Sequence, residues 1–125
     1  MKSLKKFYAA HNSIGMLREE LGDGQLIEEI DLSYNNLEGE LSFDFQKIRM
    51  LRRLNLAHNQ IKTVNATLVK MEYLTELDIS FNNFVTLQRL PKSIKKFNCA
   101  ANNWKLEEPQ YESHRARVRH DLDFF

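Results

Sequence analysis

The stretch Leu51 to Ile61, LRRLNLAHNQI, places apolar side chains at the first, fourth, sixth and last positions of an eleven-residue phrase and an asparagine at the ninth. Four further stretches share that arrangement: LKKFYAAHNSI from Leu4, IEEIDLSYNNL from Ile27, LTELDISFNNF from Leu74 and IKKFNCAANNW from Ile94. Their asparagines, Asn12, Asn35, Asn59, Asn82 and Asn102, stand 23, 24, 23 and 20 residues apart. A unit of that size cannot bury an apolar face alone, so neighbouring units have to stack into one continuous core. The expectation is a repeat solenoid over residues 1–104, with five coils starting near 4, 27, 51, 74 and 94, and a C-terminal cap or helical tail over 105–125.

Inside each phrase the apolar residues at the fourth and sixth positions alternate with polar ones, the period of a short strand. Strands of successive coils then lie side by side, and because every coil runs the same way the sheet is parallel. The fold class is therefore α/β: a short curved parallel β-sheet on the concave face, with irregular, 3₁₀ or short helical segments on the convex face. The ninth-position asparagine falls where the chain turns after the strand. Its amide has donors and an acceptor for turn groups that the sheet leaves unpaired, so all five asparagines read as structural.

The convex segments differ in length. Leu17 and Leu21, followed by a turn at Gly22–Gly24, belong to the first coil; Phe45 and Ile48 to the second; Val64, Leu68 and Met71 to the third. The fourth coil passes from Leu87 through Leu90-Pro91 straight into Ile94, which leaves room only for an extended or 3₁₀ segment. Gly39 and Pro91 fall in such connections, where their backbone preferences are expected to be harmless.

A net charge of +1 on 125 residues argues against nucleic acid or an acidic membrane as a partner. No apolar run reaches membrane-spanning length, and MKSLKKFYAAHNSIGM reads as the first coil rather than a signal peptide. Cys99, the single cysteine, occupies the inward place held elsewhere by Leu32, Leu56 and Ile79, so a buried thiol is expected.

These phrases resemble the leucine-rich repeat superfamily from Leu4 to about Trp104, and LRRLNLAHNQI and LTELDISFNNF look like repeats of the extracellular type. The closing stretch LPKSIKKFNCAANNW is similar to the end of the repeat region in insect leucine-rich immune proteins. That resemblance implies a secreted protein of innate immunity, with a cysteine-bearing cap and a coiled coil after the repeats. Here Asn103-Trp104 is followed by Lys105 and Leu106, and the cap cysteines are absent. The sequon Asn65-Ala66-Thr67 is a candidate glycosylation site on the convex side. An intracellular scaffold or regulatory subunit is the alternative, extracellular and cytoplasmic locations going with the two readings respectively.

Outward residues of the strands are not needed for the core, so recognition is expected there. The first two variable places read Lys5-Lys6, Glu28-Glu29, Arg52-Arg53, Thr75-Glu76 and Lys95-Lys96, alternating in sign from coil to coil. Such alternation suits lateral ion pairs or a polar partner. The next outward place reads Tyr8, Asp31, Asn55, Asp78, Asn98; the strand exit reads His11, Tyr34, His58, Phe81, Ala101. The exit stripe either packs ring on ring or anchors a partner. Candidate protein-binding residues are Tyr8, Asp31, Tyr34, Arg53, His58, Asp78 and Phe81. No cofactor, metal set or nucleophile–base constellation emerges, so the chain reads as a non-enzymatic module with a protein partner. An uncapped first coil makes edge-to-edge homodimerisation a further candidate. The tail, with Tyr111, Val118, Leu122 and Phe125 at near-helical spacing, is read as a cap or the start of a coiled coil.

Overall fold

The computed structural model of the chain describes residues 6–12, 26–41, 43–85, 87 and 89–104. Leu17, Leu21, the Gly22–Gly24 turn and the whole 105–125 tail lie outside them, and with the tail its His114 and His120.

Five three-residue strands form the concave sheet: β1 (Lys6–Tyr8), β2 (Glu29–Asp31), β4 (Arg53–Asn55), β6 (Glu76–Asp78) and β7 (Lys96–Asn98). Their order follows the chain, and every pairing is parallel, from Lys6 opposite Glu29 to Glu76 opposite Lys96. Period-two alternation sends Ile30, Leu54, Leu77 and Phe97 inward, each 2% exposed. The next inward column, Leu32, Leu56, Ile79 and Cys99, is equally buried, which makes Cys99 the expected core thiol. Two more columns close the core from either side: Ile27, Leu51, Leu74 and Ile94 before the strands, and Leu37, Ile61 and Phe84 after them. Trp104 continues the latter column, its ring 5.8 Å from that of Phe84 and its indole N–H donating to the Cys99 carbonyl at 2.7 Å.

The asparagines join coil to coil. Nδ2 of Asn59 donates to Leu56 and Ala57 of its own coil and to Leu32 of the preceding one, while its Oδ1 accepts from the Leu37 N–H. Asn82 repeats the set with Ile79, Ser80, Leu56 and the Ile61 N–H, and Asn102 with Cys99, Ala100, Ile79 and the Phe84 N–H. An amide so employed gives a buried N–H its acceptor and adds a donor to three backbone carbonyls, so its own polar atoms are fully used. That accounts for a polar residue in an apolar column.

The convex side is built differently. Strand β3 (Glu38–Leu41) pairs in parallel with β5 (Gln60–Val64) in a separate two-stranded sheet, which the periodicity of the sequence does not announce. Its register shifts between Gly39 and Glu40, and Gly39 sits at φ +66°. Glycine is therefore favoured there rather than merely harmless, because at that φ a Cβ crowds the following carbonyl oxygen. Two 3₁₀ helices follow these strands, Phe45–Ile48 and Ala66–Lys70, capped by the Asp44 and Asn65 side chains accepting from Gln46 and Thr67 N–H groups. The Thr67 hydroxyl accepts in turn from the Phe45 N–H, tying one helix to the other. Phe45, Ile48, Leu68 and Met71 fill the convex core as their spacing suggests, with Val64 partly buried against it. The shorter fourth coil carries no helix across its described residues between Phe84 and Ile94.

Candidate functional site

The concave sheet and its exit edge hold all seven candidate residues, in two separate rows. Tyr8, Asp31, Arg53 and Asp78 line a shallow groove of about 400 Å³ over the strands. Tyr34, His58 and Phe81 stand at the exit, outside that groove.

In the groove the alternating charges meet across adjacent strands. Arg53 lies between two carboxylates, its Nε 2.8 Å from Glu76 and its Nη1 3.8 Å from Glu29. Lys6 approaches Glu29 and Arg52 approaches Glu28, each at 3.9 Å. Pairs this exposed contribute about 0.2–1 kcal/mol each. Lys96 stands opposite Glu76 in the register but forms no ion pair among the described residues, where Arg53 is the partner of that carboxylate. The Tyr8 hydroxyl donates to Glu29 Oε1. That bond raises the Tyr8 phenol above its ordinary pKa and holds the Glu29 carboxyl below its own, since it favours the neutral phenol and the charged carboxylate.

Asp31 and Asp78 turn out to be partly committed to local structure. Oδ1 of Asp31 accepts from both the N–H and the hydroxyl of Ser33, and Asp78 does the same with Ser80. Asn55 and Asn98 accept likewise from the Ala57 and Ala100 N–H groups. Each side chain thus bends the chain out of its strand through a bond two residues ahead. The Asp-x-Ser spacing in IDLS and LDIS was the available signal. Glu29, Glu76 and Lys96 border the same groove and belong with the candidates as strand neighbours of Arg53.

The exit row holds a backbone conformation that its residue types do not suggest. His11, Tyr34, His58, Phe81 and Ala101 all have φ between 56° and 59°. Left-handed backbone costs a residue with a Cβ roughly 1–2 kcal/mol, and glycine or asparagine is its usual occupant. Here the N–H groups of His11, Tyr34, His58 and Phe81 continue the ladder by donating to Ser33, Ala57, Ser80 and Ala100 of the following coil. The rings then stack: His11 on Tyr34 at 4.4 Å, Tyr34 on His58 at 4.0 Å, and His58 on Phe81 at 4.2 Å, with planes within about 10° of parallel. At about 0.5–1.5 kcal/mol per pair, stacking offsets much of the backbone cost. Tyr34 and Phe81 nevertheless remain 46% and 51% exposed. The column is packed along its length and open on its outer side.

Asn65 of the sequon is half-buried as the cap of the Ala66–Lys70 helix. Among the described residues, no three His, Cys, Asp or Glu side chains are placed to hold a metal ion, and no helix is long and apolar enough to cross a membrane.

Comparison with known proteins identifies the repeat. A family model described as Leucine Rich Repeat matches residues 26–48, and one described as Leucine Rich repeats (2 copies) matches 49–92, so the two together span more than half of the chain. No curated protein matches the sequence. Among solved structures, a leucine-rich repeat protein of Leptospira interrogans is similar over 99% of this chain and 37% of its own, with a TM-score of 0.75 and 16% identity. The leucine-rich repeat domain of APL1B is similar over 96% of this chain and 40% of its own, with a TM-score of 0.55 and 19% identity. At these identities the likeness is one of fold, and the chain spans about two fifths of the length of either structure.

Proposed function

Since this chain belongs to the leucine-rich repeat family, we propose that it is a non-enzymatic module that binds a protein partner through the concave groove and the aromatic column at its edge. The observation that carries this reading is the column itself. Four rings are held on costly backbone, their outer edges half open, beside a groove lined by charged side chains. Rigid aromatic side chains lose little conformational freedom on contact and serve as anchors at protein interfaces. Arg53 and the glutamates beside it hold one another in place, which presents a fixed polar surface without a strong net field.

The favoured setting is a secreted recognition fragment of innate immunity. Its support is the extracellular-type phrasing, the resemblance of LPKSIKKFNCAANNW to insect leucine-rich immune proteins, and the sequon at Asn65. The alternative is an intracellular scaffold or regulatory subunit, supported by the lone buried thiol of Cys99, which needs no oxidising compartment.

Affinity capture with the full chain as bait, run in parallel on extracellular fluid and cytosolic extract, tests both parts. A Tyr34→Ala, Phe81→Ala double variant is the control. Capture from extracellular fluid, reduced at least tenfold in the double variant, is the expected result. Capture from cytosol alone replaces the secreted setting with the scaffold one. Capture undiminished in the double variant removes the aromatic column as the site.

A further inference from the structure

The aromatic column is one ring short, and the shortage coincides with a cation that has no ion pair among the described residues. Ala101 shares the φ of 56° found at Tyr34 and Phe81, so its Cβ leaves the backbone in the same direction, but no ring follows. Among the described residues Phe81 therefore has a ring partner on the His58 side only, and both Phe81 and Ala101 are exposed. Five residues before Ala101, Lys96 ends the row of charges. Lys6, Glu29, Arg53, Glu76 and Lys96 lie in register, but Glu76 is held by Arg53, and Lys95 and Lys96 are exposed without a carboxylate among the described residues.

We propose that the fifth coil seats a partner segment carrying a carboxylate, which pairs with Lys96, and an aromatic side chain four or six residues later, which fills the place above Ala101 against Phe81. The inference rests on the protein-binding reading above and specifies the partner. The offset comes from the fold. Each earlier coil separates its charge-row residue from its ring by five residues, as in Glu29 and Tyr34, Arg53 and His58, Glu76 and Phe81, and turns its backbone at the ring. An extended segment crossing the face over β7 has no such turn, and because its side chains alternate it presents both groups to the coil only at an even interval, roughly 13–20 Å at about 3.3 Å per residue. Its ring finds a parallel face of the kind that spaces the existing rings 4.0–4.4 Å apart.

A second copy of the chain fits the place less well. Stacked end to end, it brings its Lys6 towards Lys96, like against like. Its own first ring, His11, then stands one coil beyond Ala101 and leaves the gap unfilled. A basic segment is repelled by Lys95 and Lys96, and the nearest outward aspartates, Asp31 and Asp78, each have one oxygen bonded to Ser33 or Ser80.

The test is selection of a random twelve-residue peptide display library on the full chain, followed by affinity measurement of the enriched peptides. The expected peptides carry Asp or Glu with Phe, Tyr, Trp or His four or six positions later, and lose at least tenfold in affinity when either is replaced by alanine. They also lose at least tenfold on Ala101→Phe, which fills the gap with the protein's own ring, and on Lys96→Glu. Ala101→Phe has the backbone that Phe81 already tolerates; if it does not fold, Lys96→Glu and the peptide variants carry the test. Enrichment of basic peptides, binding indifferent to both protein variants, or no enrichment overturns the inference. Partner capture that is lost in the Tyr34/Phe81 double variant but kept in Ala101→Phe and Lys96→Glu overturns it too, and leaves the protein-binding reading standing.

Discussion

The two sides of the solenoid obey the same repeat with very different strictness. On the concave side five strands of three residues pair without a register shift, and Asn59, Asn82 and Asn102 make the same set of bonds after theirs. On the convex side one pair of coils adds a bulged two-stranded sheet, two coils add 3₁₀ helices, and the fourth adds no helix over its described residues. The difference follows from what each side has to satisfy. An inner strand of the concave sheet bonds to neighbours on both sides, so any change of length breaks two ladders. A convex segment has only to cover the core and cap its own ends, and several backbone paths of 20–24 residues per coil do that equally well.

Replacing an asparagine on each side exposes this contrast most sharply. Asn59→Ala leaves the Leu37 N–H buried without its acceptor and takes one of two donors from each of the Leu32, Leu56 and Ala57 carbonyls. The expected loss is about 3 kcal/mol, at the upper end of the penalty for unsatisfied buried groups. Asn65→Ala removes a helix cap next to solvent and should cost only about 1 kcal/mol. Urea midpoints of the two variants measure the gap, and equal losses would end the claim that the concave turn is the stricter one.

Gly39→Ala probes the one convex position with its own backbone demand. Nothing lies within 4 Å of a Cβ there, so any destabilisation comes from the φ of +66° alone. About 1–2 kcal/mol is expected, read as a lowered melting temperature. No change would mean that the bulge relaxes to accept alanine.

The smallest effect concerns acidity. Glu29 has a lowered pKa in the folded chain, so its stabilising contribution is complete above the ordinary carboxyl value and is lost as pH falls through the depressed one. Tyr8 has a raised pKa, so its contribution is complete below the ordinary phenol value and is lost as pH rises through the raised one. Tyr8→Phe removes the bond behind both shifts and should flatten both flanks of a stability-against-pH curve. A curve unchanged by the substitution would show that the hydroxyl contributes nothing on this exposed face.

Much of the concave architecture was legible in the residues. The apolar columns ending in Ile94, Phe97, Cys99 and Trp104, the coil order and the structural role of the asparagines all follow from spacing, because a side chain's face in a strand depends only on its parity. The opposition of Arg53 to Glu29 and Glu76 was legible for the same reason. The exit row was harder. Its residues could be named, but Tyr34, His58 and Phe81 are not types that announce left-handed backbone, so neither the conformation nor the choice between stacking and solvent could be read from them. Asp31 and Asp78 could be placed on the outward face, but which neighbours bond to them, Ser33 and Ser80, depends on the turn that follows each strand.

By itself, then, the sequence determined a stacked repeat, its inward columns and its parallel sheet, since those depend on local periodicity repeated at a fixed interval. Tertiary structure decided the ring column, the bulged convex sheet and the pairing left open at Lys96. Each of these depends on the distance between side chains of different coils, and that distance exists only once the coils have stacked.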